Sequence, residues 1–431
     1  MVLWIGVDDT DSLRGMCTTF LATELVRNLR TDLDIIGHPR LVRLNPNIPW
    51  KTRGNGAIAL AVGRGVGEPF VIGRIDGRVV RAYRSGRPFG QPKDLIGRLS
   101  AVVETWSELD CKGTDPGLVV LRRKPSVALY WRAVRGIVSH RDALRYVRGL
   151  GVVRGWNSGR GIIGASAACA WRPRDRTWEV LAYRNRARWG TLRVLSAASV
   201  RRMDRAFPST FNNYDYENRR VVIAPSSPCP VLFGIRGDRP GELPYALQIV
   251  NGERPDRWLV FETNQGTDDH VSPRETTIPR SAARSRGWVT RPPRTIAGGH
   301  VVFGLNSHDV TAYEPSKQFR RIVRGLAVGD RIEVIGSLRA SPRTINLEKL
   351  HVVDLVAVRA KIGNPVCSGC GHQMKSAGSS GPYRCRLCHM RAPRSAAVVV
   401  AVPRTLHTGW YEPPVGSRRH LSKPLKRGLP A

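Results

Sequence analysis

Acidic residues and lysine are both scarce in this sequence. Asp and Glu number 34 against 69 Lys and Arg, and only 10 of those basic residues are lysine, leaving 59 arginines. The result is a net charge of +35. Arginine's planar fork fits phosphate and base edges better than lysine's point charge, so this surplus points to nucleic acid. A genomic bias toward Arg codons is the competing explanation. Long apolar runs are missing too. No stretch of about 20 apolar residues occurs, which excludes a membrane-spanning helix. The opening "MVLWIGV" lacks the charged start and longer apolar stretch of a signal peptide, so the expected location is cytoplasmic. There is no GxxxxGK[ST] element, which excludes a Walker-type nucleotide site. No internal repeat is evident.

What is present begins with cysteine. Cys17, Cys111, Cys169 and Cys229 are scattered singly. Cys367, Cys370, Cys385 and Cys388 are clustered as C-x2-C-x14-C-x2-C. Four thiolates at that spacing close a tetrahedral zinc shell, so the site reads as structural rather than catalytic. His372 and His389 lie beside a shell that four Cys already complete.

Hydrophobic periodicity divides the chain into parts. A buried strand is expected at 2–7, then a helix over 16–29, strands at 40–44 and 57–62, and a helix over 93–109. Residues 1–137 therefore mix strands and helices. A helix over 139–151, a strand at "TWEVLAYR", strand then helix over 191–207 and two short strands in 219–237 give 138–256 an α+β rhythm. From 257 to 358, five strand-like runs separated by turns fit a small barrel of the OB type, with a Greek-key sandwich as the alternative. The zinc cluster occupies 359–402. From residue 391 there are eight Lys/Arg against one acid, Glu412, and 403–431 reads as a partly ordered basic tail.

The chemistry concentrates near the start, in "GVDDTDSLRGMCTT". Asp8, Asp9 and Asp11 lie beyond the C-terminal end of a strand, where α/β sheets bind ligands. Like charges this close need a cation or protons between them. Mg2+ takes a few carboxylates plus phosphate oxygens. The following helix N-terminus favours phosphate, with Thr18 and Thr19 in its first turn. An ordinary Asp turn with N-capping is the simpler alternative. The loop "NPNIPWKTRGNG" supplies positive charge from Lys51 and Arg53, while Gly54 and Gly56 permit close backbone approach to a ligand. The polar stretches "FNNYD" and "FETNQGTDDH" hold amides able to read hydroxyls, base edges or a guanidinium; they are also good turn formers.

These blocks together resemble one family, the archaeal tRNA-isoleucine 2-agmatinylcytidine synthetases. The resemblance is carried by "GVDDTDSLRGMCTT", "RLNPNIPWKTRGNGA", "GRGIIGA", "TFNNYD", "VVIAPSSPCPVLFGIRG", "FETNQGTDDH" and the paired CxxC turns, in one order from residue 1 to about 400. It implies a multidomain α+β protein: a kinase-like α/β domain, a ferredoxin-like domain, an OB-fold barrel and a C-terminal zinc ribbon. It implies a ligase that consumes ATP to AMP and attaches agmatine to carbon 2 of the wobble cytidine in the CAU anticodon of tRNA-isoleucine. Phosphorylating the C2 oxygen would turn it into a leaving group for agmatine's amine. By motif match, Asp8, Asp9 and Asp11 would serve Mg2+ and phosphate, a base role among their candidate duties, and Thr18 aligns with the family's autophosphorylated threonine. Lys51, Arg53, Gly54 and Asn55 are expected at ATP phosphates. Asn212, Asn213 and Asp215 are expected at agmatine or its nucleotide, because a guanidinium wants an acid. ATP, Mg2+ and Zn2+ are the implied cofactors. Two segments depart from the family: 68–91 carries no motif of it, and 183–193 is more basic than its counterpart. A non-catalytic OB-fold and zinc-ribbon RNA-binding protein, or an RNA ligase using another amine, remain as alternatives.

Overall fold

The structure, a computed structural model, describes residues 2–430 except 53, 91–93, 276–277, 342–343 and 379–380. Its first half builds one mixed sheet. β1 (Leu3–Asp8), α1 (Thr18–Leu29), β2 (Asp34–Ile36), β3 (Arg40–Arg43), β4 (Gly56–Ile75) and β5 (Arg78–Arg87) open the chain. α2 (Leu95–Trp106), β6 (Gly117–Leu121), α3 (Val127–Arg135), α4 (His140–Val147), β7 (Gly151–Gly155) and α5 (Gly161–Ala170) follow. β8 (Thr177–Tyr183), α6 (Ala197–Ala206), β9 (Thr210–Phe211), β10 (Tyr214–Asp215), β11 (Arg220–Val221), β12 (Val231–Gly237), α7 (Leu243–Ile249) and β13 (Arg257–Thr263) complete this half. The strand order is β7-β6-β1-β4-β3-β13-β8-β12-β9, with β2 and β5 joined through β4.

Side chains alternate across a strand, and β1 uses both faces. Leu3, Ile5 and Val7 pack with α1 and α2 residues such as Leu21, Leu25 and Leu99. The other face of β1, through Trp4, Gly6 and Asp8, meets α5. That helix is buried almost all round and rich in Gly and Ala. A Cβ on Gly6 would stand 2.3 Å from the Ala165 carbonyl oxygen, and one on Gly117 only 2.0 Å from the Ile162 nitrogen. Backbone therefore sits directly on backbone, and only glycine fits.

Several expectations are revised. The Arg- and Gly-rich stretch 64–87 is the outer part of β4 with β5, a long antiparallel hairpin. No strand forms over 191–195, where an isolated bridge from Leu195 to Gly252 stands instead. The run at 257–263, grouped by sequence with the barrel, is β13 and pairs with β8, β3 and β4. Its Leu259, Val260 and Phe261 are buried on both faces, and a buried run looks alike in either sheet.

The barrel comes next: β14 (Val271–Ser272), β15 (Ala282–Thr295), β16 (Val301–Leu305), β17 (His308–Ala312), α8 (Phe319–Arg324), β18 (Arg331–Leu338) and β19 (Thr344–Asp354). β15 pairs with both β16 and β18, which closes a five-stranded ring through β17 and β19. Of these strands, β15 is absent from the sequence-based expectation. Its buried positions include Ser285 and Gly287, so apolar alternation is faint. Beyond the barrel, Arg359–Gly363 pairs with Val398–Ala401 as the neck of a small three-stranded ribbon. The segment after 403 is not loosely attached: Gly409–Tyr411 pairs with β19, and Leu421 lies in the core beside Leu44 and Ala57. No described helix is long and apolar enough to cross a membrane.

Candidate active site

A cavity of about 480 Å³ lies at the C-terminal end of β1. Asp8, Asp9, Asp11 and Thr18 line one side; Lys51, Thr52, Gly54 and Asn55 line another. The sequence-predicted acid loop and cationic loop thus meet. Arg53 lies outside the described residues. Ile48, Trp50, Ile137 and Val138 give the cavity an apolar wall.

Three helix starts converge here. Thr18 is the first residue of α1, His140 the first of α4, and Arg160 the N-cap of α5. Helix starts carry N–H groups without intrahelical partners and a partial positive charge, so the cavity favours an anion. α1 is capped from a distance, since Cys17 makes no side-chain cap bond. Asp11 Oδ1 instead accepts from the Thr18 backbone N–H at 2.6 Å and from the Thr18 hydroxyl at 2.9 Å. Thr10 donates its hydroxyl to Thr18 Oγ1 at 3.0 Å. The Thr18 hydroxyl proton therefore points at a carboxylate, as an activated nucleophile requires.

The other acids are crowded. Asp9 takes a left-handed φ of 59°, which Asp tolerates better than most residues, and pairs with Arg160 at 2.8 Å. Arg160 also reaches Asp115 at 3.2 Å. Burial, followed by the neighbouring Asp9 charge, pushes the Asp8 carboxyl well above the ordinary carboxylate range. Burial likewise lifts Asp9 to about 6 against the opposing Arg160 charge. Burial, then the nearby Arg419 charge, lowers Lys51.

Asn212, Asn213 and Asp215 do not line this cavity. Asn212 accepts from Arg418 at 3.0 Å, Asn213 donates to Asp204 and Thr210, both at 2.8 Å, and Asp215 accepts from Asn218 N and Nδ2 at 3.0 and 2.9 Å. These bonds tie the loop to itself through Thr210 and Asn218, to α6 through Asp204 and to the C-terminal segment through Arg418. The "FETNQGTDDH" block also has a structural part. Asn264 donates to the Arg43 carbonyl at 2.8 Å, and Asp268 meets the fully buried Lys349 of the barrel at 2.6 Å. Sequence reasoning does not single out Arg160, Asp115, His140 or Trp50, and it takes Ser139 only as a helix N-cap, which it is. The one available signal is "GRGIIGA", where glycines flank Arg160.

At the opposite end of the chain, the Sγ atoms of Cys367, Cys370, Cys385 and Cys388 all lie within 4.8 Å of one another. A tetrahedral zinc with bonds of about 2.3 Å requires sulfur separations of roughly 3.8 Å, so the donor set fits.

Family models match three stretches: the TiaS TCKD domain over residues 4–155, the TiaS FLD domain over 159–270 and the TiaS C-terminal zinc ribbon domain over 364–406. Among curated relatives, the isoleucine-tRNA 2-agmatinylcytidine synthetase TiaS of Methanocaldococcus jannaschii is 37% identical, covering 99% of both chains. The Archaeoglobus fulgidus protein of the same name is 39% identical over 99% of this chain and 98% of its own. The chain belongs to the TiaS family. A solved complex of TiaS with isoleucine tRNA and ATP superposes with a TM-score of 0.85 at 36% identity, covering 100% of this chain and 98% of that one. A TiaS complex with isoleucine tRNA, AMPCPP and agmatine gives 0.82 at 35% identity, covering 99% and 97%. TiaS membership also fixes the architecture at the level the family models reach: a multidomain α+β protein with mixed sheets and a C-terminal zinc ribbon.

The ribbon of this TiaS chain has a small core of its own, built on Met374 and Tyr383. So few buried groups cannot hold a fold without the metal. A chelator should therefore release one zinc per chain and unfold 364–406, while the barrel and sheet keep their melting transitions. Zinc-release titration alongside calorimetry reads both, and an unchanged ribbon after zinc loss would refute it.

Proposed function

We propose that this chain is an ATP-dependent carbon–nitrogen ligase that attaches agmatine to carbon 2 of the wobble cytidine in the CAU anticodon of tRNA-isoleucine. The observation carrying this reading is the cavity where the acid loop, the Lys51 loop and three helix N-termini meet. The C2 carbonyl of cytosine is a poor electrophile. Phosphorylation of its oxygen makes phosphate the leaving group, and agmatine's primary amine then forms the C–N bond. Phosphoryl transfer of this kind rests on positioning and charge neutralisation, which the cavity provides. In this reading Lys51 and the backbone at Gly54 and Asn55 hold ATP phosphates, Asp11 takes the Thr18 proton as Thr18 Oγ1 bonds the γ-phosphorus of ATP and the bond to the β-phosphate oxygen breaks, and Arg160 fixes Asp9. We assign Asp215 and its neighbours to the agmatine or nucleotide entrance, and the modification to the cytoplasm. We read 1–137 as kinase-like, 138–256 together with β13 as ferredoxin-like, the remainder of 257–358 after β13 as the OB-type barrel, 359–402 as the zinc ribbon and 403–431 as the basic tail.

The donor chemistry of Asp8 and Asp9 fits Mg2+. Both carboxyls are pushed up by burial, and a divalent cation in place of protons would relieve that cost. When bound, it would neutralise triphosphate oxygens. The sign of the pH effect follows. Asp9 is raised from an ordinary 3.8 to about 6, so its contribution to stability is full below 3.8 and lost as pH rises through 6. Mg2+ should therefore raise the melting temperature more at pH 7.5 than at pH 5, where protons compete. Equal shifts at both pH values would argue against a carboxylate site.

The deciding experiment for function is nucleoside mass analysis of CAU-anticodon tRNA after incubation with ATP and agmatine. Agmatidine at the wobble position supports the reading; unmodified cytidine from folded protein sinks it. Running lysine and spermidine in parallel tests the amine.

A further inference from the structure

The segment after residue 403, read from sequence as a loosely held basic arm, crosses the molecule as a strap. Its strand Gly409–Tyr411 leaves the barrel, and its far end is tied by Arg427, which bonds Asp175 at 2.9 Å and Asp238 at 2.8 Å. Between these anchors the strap backbone is built into the fold. The His420 and Leu421 carbonyls accept from Gly266 and Asp268, both at 2.8 Å, and Leu421 is 1% exposed.

The middle of the strap stands behind the Lys51 loop. Arg419 donates to Asn47 Oδ1 of that loop at 2.8 Å and to Ser337 of the barrel at 3.0 Å, and it pairs with the barrel's Glu348 at 3.0 Å. One planar guanidinium thus joins three elements that are remote in sequence. His420 accepts at Nδ1 from Arg236 at 3.1 Å. Its ring lies 3.4 Å from where a Cβ on Gly54 would stand, so the loop backbone rests on it. Repulsion from Arg43, then burial, keeps this imidazole well below its usual value, which suits its acceptor role.

We propose that the C-terminal strap is a positioning element of the active-site cavity, in which Arg419 braces the 45–56 loop against the barrel and His420, held by Arg236 of β12, backs the same loop at Gly54. This rests on the reading of that loop as an ATP-phosphate contact. A basic strap is suited to the task. It adds positive charge behind a loop that must face phosphate, and its fork fixes the loop's distance from a rigid barrel. Among the described loop residues, Asn47 is the side chain that Arg419 bonds, so one substitution on either partner severs the link.

Arg419→Ala and Asn47→Ala, singly and together, test the proposal. Arg419→Ala leaves His270 on Glu348 Oε2 at 2.8 Å but takes the facing charge from the buried Oε1, whereas Asn47→Ala leaves the Arg419–Glu348 pair in place. Arg419→Ala should raise the KM for ATP about tenfold, as loss of one charge-assisted bond implies. The kcat should stay within about threefold, and the tRNA Kd should be unchanged. Asn47→Ala should do the same, and the double variant should be no worse than the stronger single, because both cut one link. Amide exchange across 45–56 should quicken in each variant while β1 and β4 stay protected. An unchanged KM, additive singles, or unchanged exchange in the loop would overturn the proposal. If wild-type protein modifies no tRNA, the functional reading fails by itself; the exchange measurement still decides whether the strap braces the loop. Should Arg419→Ala fold poorly, Asn47→Ala, on the loop itself, gives the same readouts.

Discussion

Thr18→Ala should lower turnover by about 10²–10⁴-fold, the usual range for losing a positioned proton-transfer or nucleophilic group. Thr18 is 3% exposed, and its hydroxyl donates to Asp11 and accepts from Thr10, so its oxygen is fixed and its proton has an acceptor. The fold should survive. Asp11 still accepts from the backbone N–H of residue 18 at 2.6 Å, so α1 keeps its cap. The tRNA Kd should stay within about twofold of wild type. Thr18→Ser, which restores an oxygen, should recover activity to within about tenfold. Asp11→Asn should fail as badly as Thr18→Ala, because a neutral amide is a poor acceptor of the hydroxyl proton. Single-turnover assays of agmatidine formation with filter-binding controls measure all of these. Wild-type turnover in Thr18→Ala would remove this residue from the mechanism.

Gly164→Ala should be comparably severe for a different reason. A Cβ there would stand 1.7 Å from Asp8 Oδ2 and 2.6 Å from its carboxyl carbon. The carboxylate cannot remain, because α5 is seated on β1 and β6 at backbone contact through Gly6 and Gly117 and the side chain is the part free to move. Overpacking of this kind costs about 1–3 kcal/mol of stability. The larger effect is on chemistry: Asp8 is displaced from the cavity, and activity should fall at least about 100-fold through lost positioning. Gly241→Ala is the control, since nothing lies within 4 Å of its Cβ position. It should match wild type in melting temperature and rate. Activity retained in Gly164→Ala would show that the reaction does not need Asp8 in its place beside α5.

Arg160 shows how a residue can be essential to geometry and invisible to pattern. It lies 151 positions from Asp9 in sequence, yet bonds that carboxylate at 2.9 Å through Nε. A lone Arg in a chain with 59 of them carries no signal. Its glycine-flanked setting gains meaning only from the way α5 presses on β1. The 211–215 loop teaches the reverse. Amides and an acid suit a ligand and a turn alike, and in this structure Asp215 accepts from the Asn218 backbone and side chain, bonds that composition alone does not specify.

By itself the sequence determined the features with short-range or compositional signatures. The paired CxxC turns specify a zinc shell because four thiolates suffice wherever the chain brings them. The acid loop after β1 and the first turn of α1 are contiguous, so spacing alone puts Asp11 and Thr18 together. Arginine excess named the class of partner. Tertiary structure decided what depends on contacts distant in the chain. β13 joined the large sheet rather than the barrel, because a run buried on both faces carries no mark of its partner. β15 closed the barrel although its inward residues are small. The basic tail became a strap because Leu421 found a core and Arg419 found acceptors in two other elements. Local composition measures only the charge such a segment carries, and burial against the rest of the fold sets where that charge goes.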